Sequence, residues 1–309
     1  MSFKVIGIGE VLWDLMPAGR QLGGAPANFA CHARSLGADA FVITRVGKDD
    51  FGHEILRRFH ELGIADGVVQ IDDHKPTGTV AVLLQQDGVP QFNIRNDVAW
   101  DYLAPTSAAQ KAVSAADAVC FGSLAQRHPI TRASIQQLMA AAPVTALRIF
   151  DINLRQQFYS REIIEQSLRL TTVLKLNDTE LPVLAAMFEL GSRPQPQIQR
   201  LADLFELQLV ALTRGPQSSL LYQNGRWSEQ VSEPVQVVDT VGAGDAFTAA
   251  LTMGLLNKLD LDEVHAFAAR VARFVCSRAG ATPALPGPLR NRFAAGTRGG
   301  SVCGKIAAV

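Results

Sequence analysis

Apolar runs of strand length recur along the chain, at Val5 to Ile8, Ala40 to Thr44, Ala118 to Phe121, Leu147 to Asp151, Val173 to Leu176 and Leu209 to Thr213. Longer stretches of helical character lie among them: Asn28 to Leu36, Phe51 to Leu62, Thr131 to Ala142, Arg161 to Leu170, Asp178 to Phe188, Gln197 to Phe205, Gly244 to Leu256 and Leu261 to Arg278. This βα succession constrains the fold more than any other feature of the sequence. Strands that are apolar without alternation are buried on both faces. That implies a mostly parallel sheet sandwiched by helices, a doubly wound α/β architecture, in which ligands gather at the carboxyl ends of the strands.

One region breaks the rhythm. Thr77 to Gln86, Asp87-Gly88 and Val89 to Ile94 read as a β-hairpin with a DG turn and no helix between its strands. With Leu12 to Met16 as an extra strand, it is either a small β-stranded lid over the ligand site, drawn from residues 12–17 and 77–100, or an ordinary edge hairpin. Residues 1–286 then make one domain with its lid. Residues 287–309, rich in Gly, Arg and Ala and without an acidic residue, read as a peripheral tail.

With 48% hydrophobic residues in 309, the chain can bury a large core. Lys plus Arg and Asp plus Glu both total 29, so no net charge draws it to nucleic acid or to a membrane surface, and a small ligand is expected. Cys31, Cys120, Cys276 and Cys303 form no CxxC pair, and the histidines show no metal-ligand spacing; free thiols in a reducing compartment and no structural zinc are expected. No apolar run approaches the roughly 18 residues that span a bilayer. MSFKVIGIGE passes directly into a strand pattern, so a cytoplasmic location is expected.

The run DTVGAGDAF, Asp239 to Phe247, sets Gly242, Ala243 and Gly244 directly before Asp245, where a helical stretch begins. Residues with little or no side chain let backbone N–H groups approach an anion closely, and the helix start adds its positive dipole end. A carboxylate beside phosphate weakens anion binding unless it is needed to take a proton from a nucleophile attacking that phosphate. Taken alone, the same run is also a tight loop with Asp245 as a helix N-cap.

Further polar residues stand at strand ends. Asp14 follows the first strand, and GGAPANFA, Gly23 to Ala30, comes next. Gly23 and Gly24 admit a ligand close to the backbone and Asn28 can donate and accept hydrogen bonds, which suits a polyol; a flexible turn with a helix cap fits equally. Asp151, Asn153 and Arg155 follow the strand ending IFD, and Asn177 and Glu180 follow the strand ending LKL. Arg155 can clamp phosphate oxygens, while Asn177 and Glu180 can hold a hydrated magnesium ion, although either pair alone also fits a capped helix start with a surface charge. Two decoys fail. GGSVCGKI, Gly299 to Ile306, has Ile where a Walker loop needs Ser or Thr, and Gly7-Ile8-Gly9 lacks the third glycine of a dinucleotide fingerprint, since Leu12 holds that place.

Together these residues resemble the ribokinase-like (PfkB) carbohydrate kinase family over residues 1–286, with GGAPANFA, the further glycines Gly37 and Gly47, and DTVGAGD ending at Asp245 as its signatures. The resemblance implies a doubly wound α/β sandwich with a β-stranded lid, and transfer of the γ-phosphoryl of MgATP to a sugar or nucleoside hydroxyl. It implies Asp245 as the base and Gly242, Ala243 and Gly244 as the anion hole; Arg155, by the chemistry of its guanidinium, is expected to act on the transferring phosphoryl. Asn177 and Glu180 match an NxxE motif that organises magnesium and phosphate, with Glu180 acting on the metal through water, and Thr213 and Gly215 match the nucleotide-binding strand end. Asp14, Gly23, Gly24 and Asn28 match the sugar contacts, and Arg95, on the second hairpin strand, is expected as a further one. A K⁺ site would use Asp239, Val241 and Gly280, with Ala284 standing where some members carry a serine ligand.

GEVLWDLMP and GGAPANFACH look like the fructokinase branch, which makes fructose the leading acceptor. The alternatives are 2-keto-3-deoxygluconate kinase, ribokinase, a nucleoside kinase, or a catalytically silent sugar sensor. Lid strands in this family often pair, so a homodimer is a further expectation.

Overall fold

The computed structural model describes residues 2–16, 19–84 and 90–293. In chain order the elements are β1 (Lys4–Ile8), β2 (Leu12–Met16), β3 (Gly19–Gly23), α1 (Ala25–Ser35), β4 (Asp39–Ile43), β5 (Arg45–Gly47), α2 (Asp50–Glu61), β6 (Gln70–Asp72), β7 (Gly78–Leu84) and β8 (Pro90–Ile94). There follow α3 (Ser107–Val113), β9 (Ala118–Phe121), α4 (Pro129–Ala140), β10 (Leu147–Asp151), α5 (Arg161–Arg169), β11 (Val173–Asn177), α6 (Leu181–Phe188), α7 (Pro194–Leu204) and β12 (Leu209–Thr213). The chain continues through β13 (Ser218–Gln223), β14 (Arg226–Val231), α8 (Ala243–Leu256), α9 (Leu261–Cys276) and α10 (Gly287–Arg290).

The main sheet runs β14-β13-β12-β11-β10-β9-β1-β4. It is parallel from β12 to β4 and antiparallel at β13 and β14. The chain leaves β1 for β4 on one side and returns to β9 on the other, so β1 and β9 flank the switch point where a crevice opens at the carboxyl ends. Alternation along each strand divides the core. Val5, Ala118, Ile149, Val173 and Leu209 face α1, α8 and α9, while Ile6, Val119, Phe150, Leu174 and Val210 face the helices between α3 and α7.

The hairpin region forms a separate sheet in the order β3-β2-β7-β8. Asp14, Val80 and Ile94 lie in register across it, and Trp13 with Thr79 takes the other face. The Asp87-Gly88 turn lies outside the described residues. Residues 287–293 carry the short α10, and Leu289 and Phe293 pack on the α8–α9 side of the core, Phe293 edge-on to Phe267 at 5.2 Å. Among the described residues no helix is long and apolar enough to cross a membrane, and Cys31, Cys120 and Cys276 are free.

Helix α1 has no side-chain cap and starts at Gly24 with Pro26 in its first turn. It sits hard on β1: a Cβ on Gly7 would lie 2.1 Å from the Pro26 carbonyl oxygen. This contact fixes the start of α1 at the carboxyl edge of the sheet. Gly7→Ala must push the helix off the strand, and overpacking of this kind costs about 1–3 kcal/mol. Urea denaturation should show that loss; an unchanged midpoint would mean that α1 is not seated by this contact.

Candidate functional site

The floor of the site is a buried charge cluster at the ends of β10 and β11. Lys175 and Asp151 point to the α8 side, and Lys175 Nζ donates to Asp151 Oδ1 at 3.0 Å, with their side chains 8% and 6% exposed. Thr248, one turn into α8, donates from Oγ1 to Asp151 Oδ2 at 2.8 Å and to the Gly244 carbonyl at 3.0 Å. Lys175 Nζ lies directly below Gly244, 3.0 Å from where a Cβ would stand. Burial alone would lower the Lys175 pKa, but Asp151, Glu180 and Asp245 hold it above its ordinary value, so the ammonium stays charged.

On this floor stands the 239–245 turn. Gly242 has φ +78°, and a Cβ there would lie 2.2 Å from the Ala281 carbonyl oxygen, so both the left-handed backbone and the close packing exclude a side chain. The amides of Gly242, Ala243 and Gly244 belong to the first turn of a 14-residue helix that has no side-chain cap. Ala243 N donates to the Thr240 carbonyl at 3.3 Å, which leaves the amides of Gly242 and Gly244 as open donors at a positive helix end. Asp245 follows them, half-buried at the surface of the site. Its carboxyl is pushed up to about 6, by burial first and then by Asp151, while the hydrogen bond from Asn28 and the charges of Lys175 and Arg155 oppose the rise. Asn28 Nδ2 donates to Asp245 Oδ2 at 2.8 Å across 217 residues of sequence. The side chain read as a sugar contact thus orients a carboxylate, with its remaining amide groups left for a ligand.

Asp14 lies against the backbone of Gly23, with Oδ2 2.5 Å from where a Gly23 Cβ would stand. Burial raises it to about 6 against the pull of Arg155. Arg155 is exposed on the loop after β10, where its charge acts to lower Glu10, Asp14 and Asp245 alike. Gly24 caps α1 beside the Glu10 carbonyl. Arg95 is one residue past β8 rather than on it; its N–H bonds to Thr79 and its carbonyl accepts from Arg127, but its exposed guanidinium joins none of the other candidates.

At the end of β11, Asn177 Oδ1 accepts from Thr179 N, Thr179 Oγ1 and Glu180 N. That oxygen is fully engaged, so the free group of Asn177 is its NH₂, a donor suited to phosphate oxygens rather than to a metal. Glu180, 3% exposed, accepts from Leu154 N at Oε1 and from Asn177 N at Oε2. Each oxygen keeps acceptor capacity, which fits Mg²⁺ that retains its waters and is reached through one of them. Among the described residues no group of three or more His, Cys, Asp or Glu forms a metal cage. Thr213 pairs with Asn177 across β11 and β12, and Gly215 (φ +51°) lies in the turn that follows.

Asp239 joins two loops. Its Oδ1 accepts from Val241 N at 3.0 Å and its Oδ2 from Gly280 N at 3.0 Å, so the three residues implied for a K⁺ site are brought together. Glu10, Lys175 and His32 were not singled out from sequence. Glu10, 1% exposed, is raised to about 7, chiefly by burial, and its Oε2 has no hydrogen-bond partner. A lysine inside the apolar strand VLKLN was a readable signal, because a buried cation needs a carboxylate nearby.

The model for pfkB family carbohydrate kinase matches residues 17–287. The chain is 30% identical over 266 residues to a fructokinase of Klebsiella pneumoniae, covering 82% of this chain and 85% of that one. It is 29% identical over 311 residues to a fructokinase of Escherichia coli, covering 93% and 97%. It is also similar to the crystal structure of an uncharacterized sugar kinase from Pyrococcus horikoshii in complex with ATP, with a TM-score of 0.77, 27% identity, and coverage of 90% of this chain and 94% of that one.

The raised Asp245 carboxyl has a stability consequence. The folded state holds this proton up to about 6 and the unfolded state only to 3.8, so stability falls as pH rises between those values and the cost is complete above 6. Asp245→Asn removes the charge. At pH 8 the variant should be more stable than the parent by about 1 kcal/mol, allowing for the open face of the carboxyl. The gap should close near pH 4, and urea denaturation that finds the variant equal or weaker at pH 8 would show that Asp245 is not held at a cost.

Proposed function

The chain belongs to the pfkB family of carbohydrate kinases, and within it we propose that this sugar kinase transfers the γ-phosphoryl of MgATP to a hydroxyl of a free, uncharged sugar, with fructose as the leading acceptor. The observation that carries the reading is the Asn28–Asp245 hydrogen bond. It joins the helix that begins at the GGAPAN segment to a carboxylate beside uncapped amides, so an acceptor hydroxyl and a phosphoryl group can meet at one proton acceptor.

In this reading Asp245 takes the proton of the attacking hydroxyl. A pKa raised to about 6 leaves it ionised at neutral pH and strong enough as a base to share the proton as the O–P bond forms. The N–H groups at Gly242 and Gly244, with Ala243 between them in the turn, and the guanidinium of Arg155 receive the charge on the transferring phosphoryl oxygens. Glu180 would reach the water shell of Mg²⁺, whose charge would neutralise the phosphates when bound, and the Asn177 amide would donate to phosphate. Thr213 and Gly215 border the nucleotide, and K⁺ at Asp239, Val241 and Gly280 would brace the turn from beneath.

The acceptor half holds the carboxyls of Asp14 and Glu10, and among the described residues Arg155 is the cation whose charge acts on both. That balance disfavours a sugar phosphate or a sugar acid. Relatives named fructokinase in Klebsiella pneumoniae and Escherichia coli support fructose. A panel of free hexoses, pentoses, nucleosides, 2-keto-3-deoxygluconate and sugar phosphates, assayed with MgATP by ADP release, should give fructose the highest kcat/KM. Asp245→Asn should lower kcat on the best sugar by about 10²-fold or more while sugar binding stays within a few-fold. A sugar phosphate preferred tenfold over every free sugar, or a folded Asp245→Asn enzyme with near-normal turnover, would overturn the reading.

A further inference from the structure

His32 lies one helical turn beyond Asn28 on the same face of α1 and is 1% exposed. Its Nε2 is 2.9 Å from the carbonyl oxygen of Ala281. A carbonyl oxygen only accepts, so Nε2 carries a proton. Burial lowers the imidazole to about 4, which keeps it neutral through the working pH range. The Ala281 carbonyl is also the atom that closes on Gly242, 2.2 Å from where a Cβ would stand. One residue earlier, Gly280 N–H donates to Asp239 at the start of the turn. The loop at Gly280 and Ala281 therefore backs the 239–245 turn at two points, and His32 ties that loop to α1.

We propose that His32 is a positioning residue for phosphoryl transfer: by holding the Ala281 carbonyl against the back of Gly242, it fixes the direction of the following amides. This rests on the reading of residues 242–244 as an anion hole. Helix α1 then controls both halves of the reaction from adjacent turns, Asn28 holding the carboxylate and His32 the amides. Donors that must face developing charge contribute only when they are held in place beforehand, and small misplacements are expensive.

The test compares His32→Leu, which keeps similar volume and removes the donor, with His32→Gln, whose amide can reach the same carbonyl. Both are measured for kcat, for KM of each substrate, for thermal stability, and for the MgADP dissociation constant by calorimetry. The Leu variant should lose about tenfold in kcat, weaken MgADP several-fold, and keep its sugar KM within about twofold; the Gln variant should recover both losses to within about threefold. A folded Leu variant with unchanged kcat and MgADP affinity overturns the proposal, as does a Gln variant as impaired as Leu. If the Leu variant does not fold, His32→Asn, whose shorter amide falls short of Ala281, takes its place with the same outcomes. Should the parent phosphorylate no sugar, the reading of the site fails, whereas the MgADP affinities still decide the role of His32.

Discussion

The buried Lys175–Asp151 pair is the interaction on which the site depends. It closes three elements around one point, since Lys175 comes from β11, Asp151 from β10, and Thr248 of α8 completes the Asp151 carboxylate. Ion pairs withdrawn from water contribute little net stability, because desolvation consumes most of the Coulombic gain. Their effect is on arrangement: an uncompensated charge here would be severely unfavourable, so α8 can dock in only one register. That register puts Gly244 above the ammonium and Asp245 at the surface of the site.

The same cluster sets the electrostatics of the reaction. Asp151, Glu180 and Asp245 surround the buried Lys175, and Glu10 lies within reach of the charges of Asp245 and Arg155. Such an excess of acid raises the proton affinity of the members that are least compensated. Asp245 has the Asn28 hydrogen bond and Glu10 has backbone N–H groups, so neither is driven to full neutralisation. A phosphate arriving at the turn amides would be repelled by this excess without the helix dipole, Arg155 and a divalent cation. Binding and base strength are thus set by one balance of charge.

Much of this was legible in the sequence where the signal was local. A turn that needs a positive φ and close backbone packing announces itself by glycine, so Gly242 was readable, and apolar strands buried on both faces made the parallel sheet readable. Strand-end polar residues followed from the topology. Contacts formed across long separations were not legible: nothing in the helix at Asn28 names Asp245 as its partner, and nothing at His32 names Ala281. Strand β3, with Leu22 as its one large apolar residue, has no apolar period to reveal it, and in the seven-residue α3 only Ala109 and Val113 are buried. The β13–β14 hairpin did carry a signal, the Asn224-Gly225 pair at its turn, whose φ values of +49° and +84° are those that such a dipeptide favours.

The most direct test of the account is the pH dependence of kcat/KM for the best neutral sugar at saturating MgATP, compared between the parent and Asp151→Asn. The account predicts a loss of activity on the acid side of about 6 in the parent, from protonation of Asp245. Removing the Asp151 charge takes away a repulsion and frees Lys175 to act on Asp245, so the bend should move down by about half a unit or more. A bend that stays in place in a folded Asp151→Asn enzyme, or a parent profile with no bend near 6, would contradict the claim that this buried pair tunes a catalytic base already raised by burial.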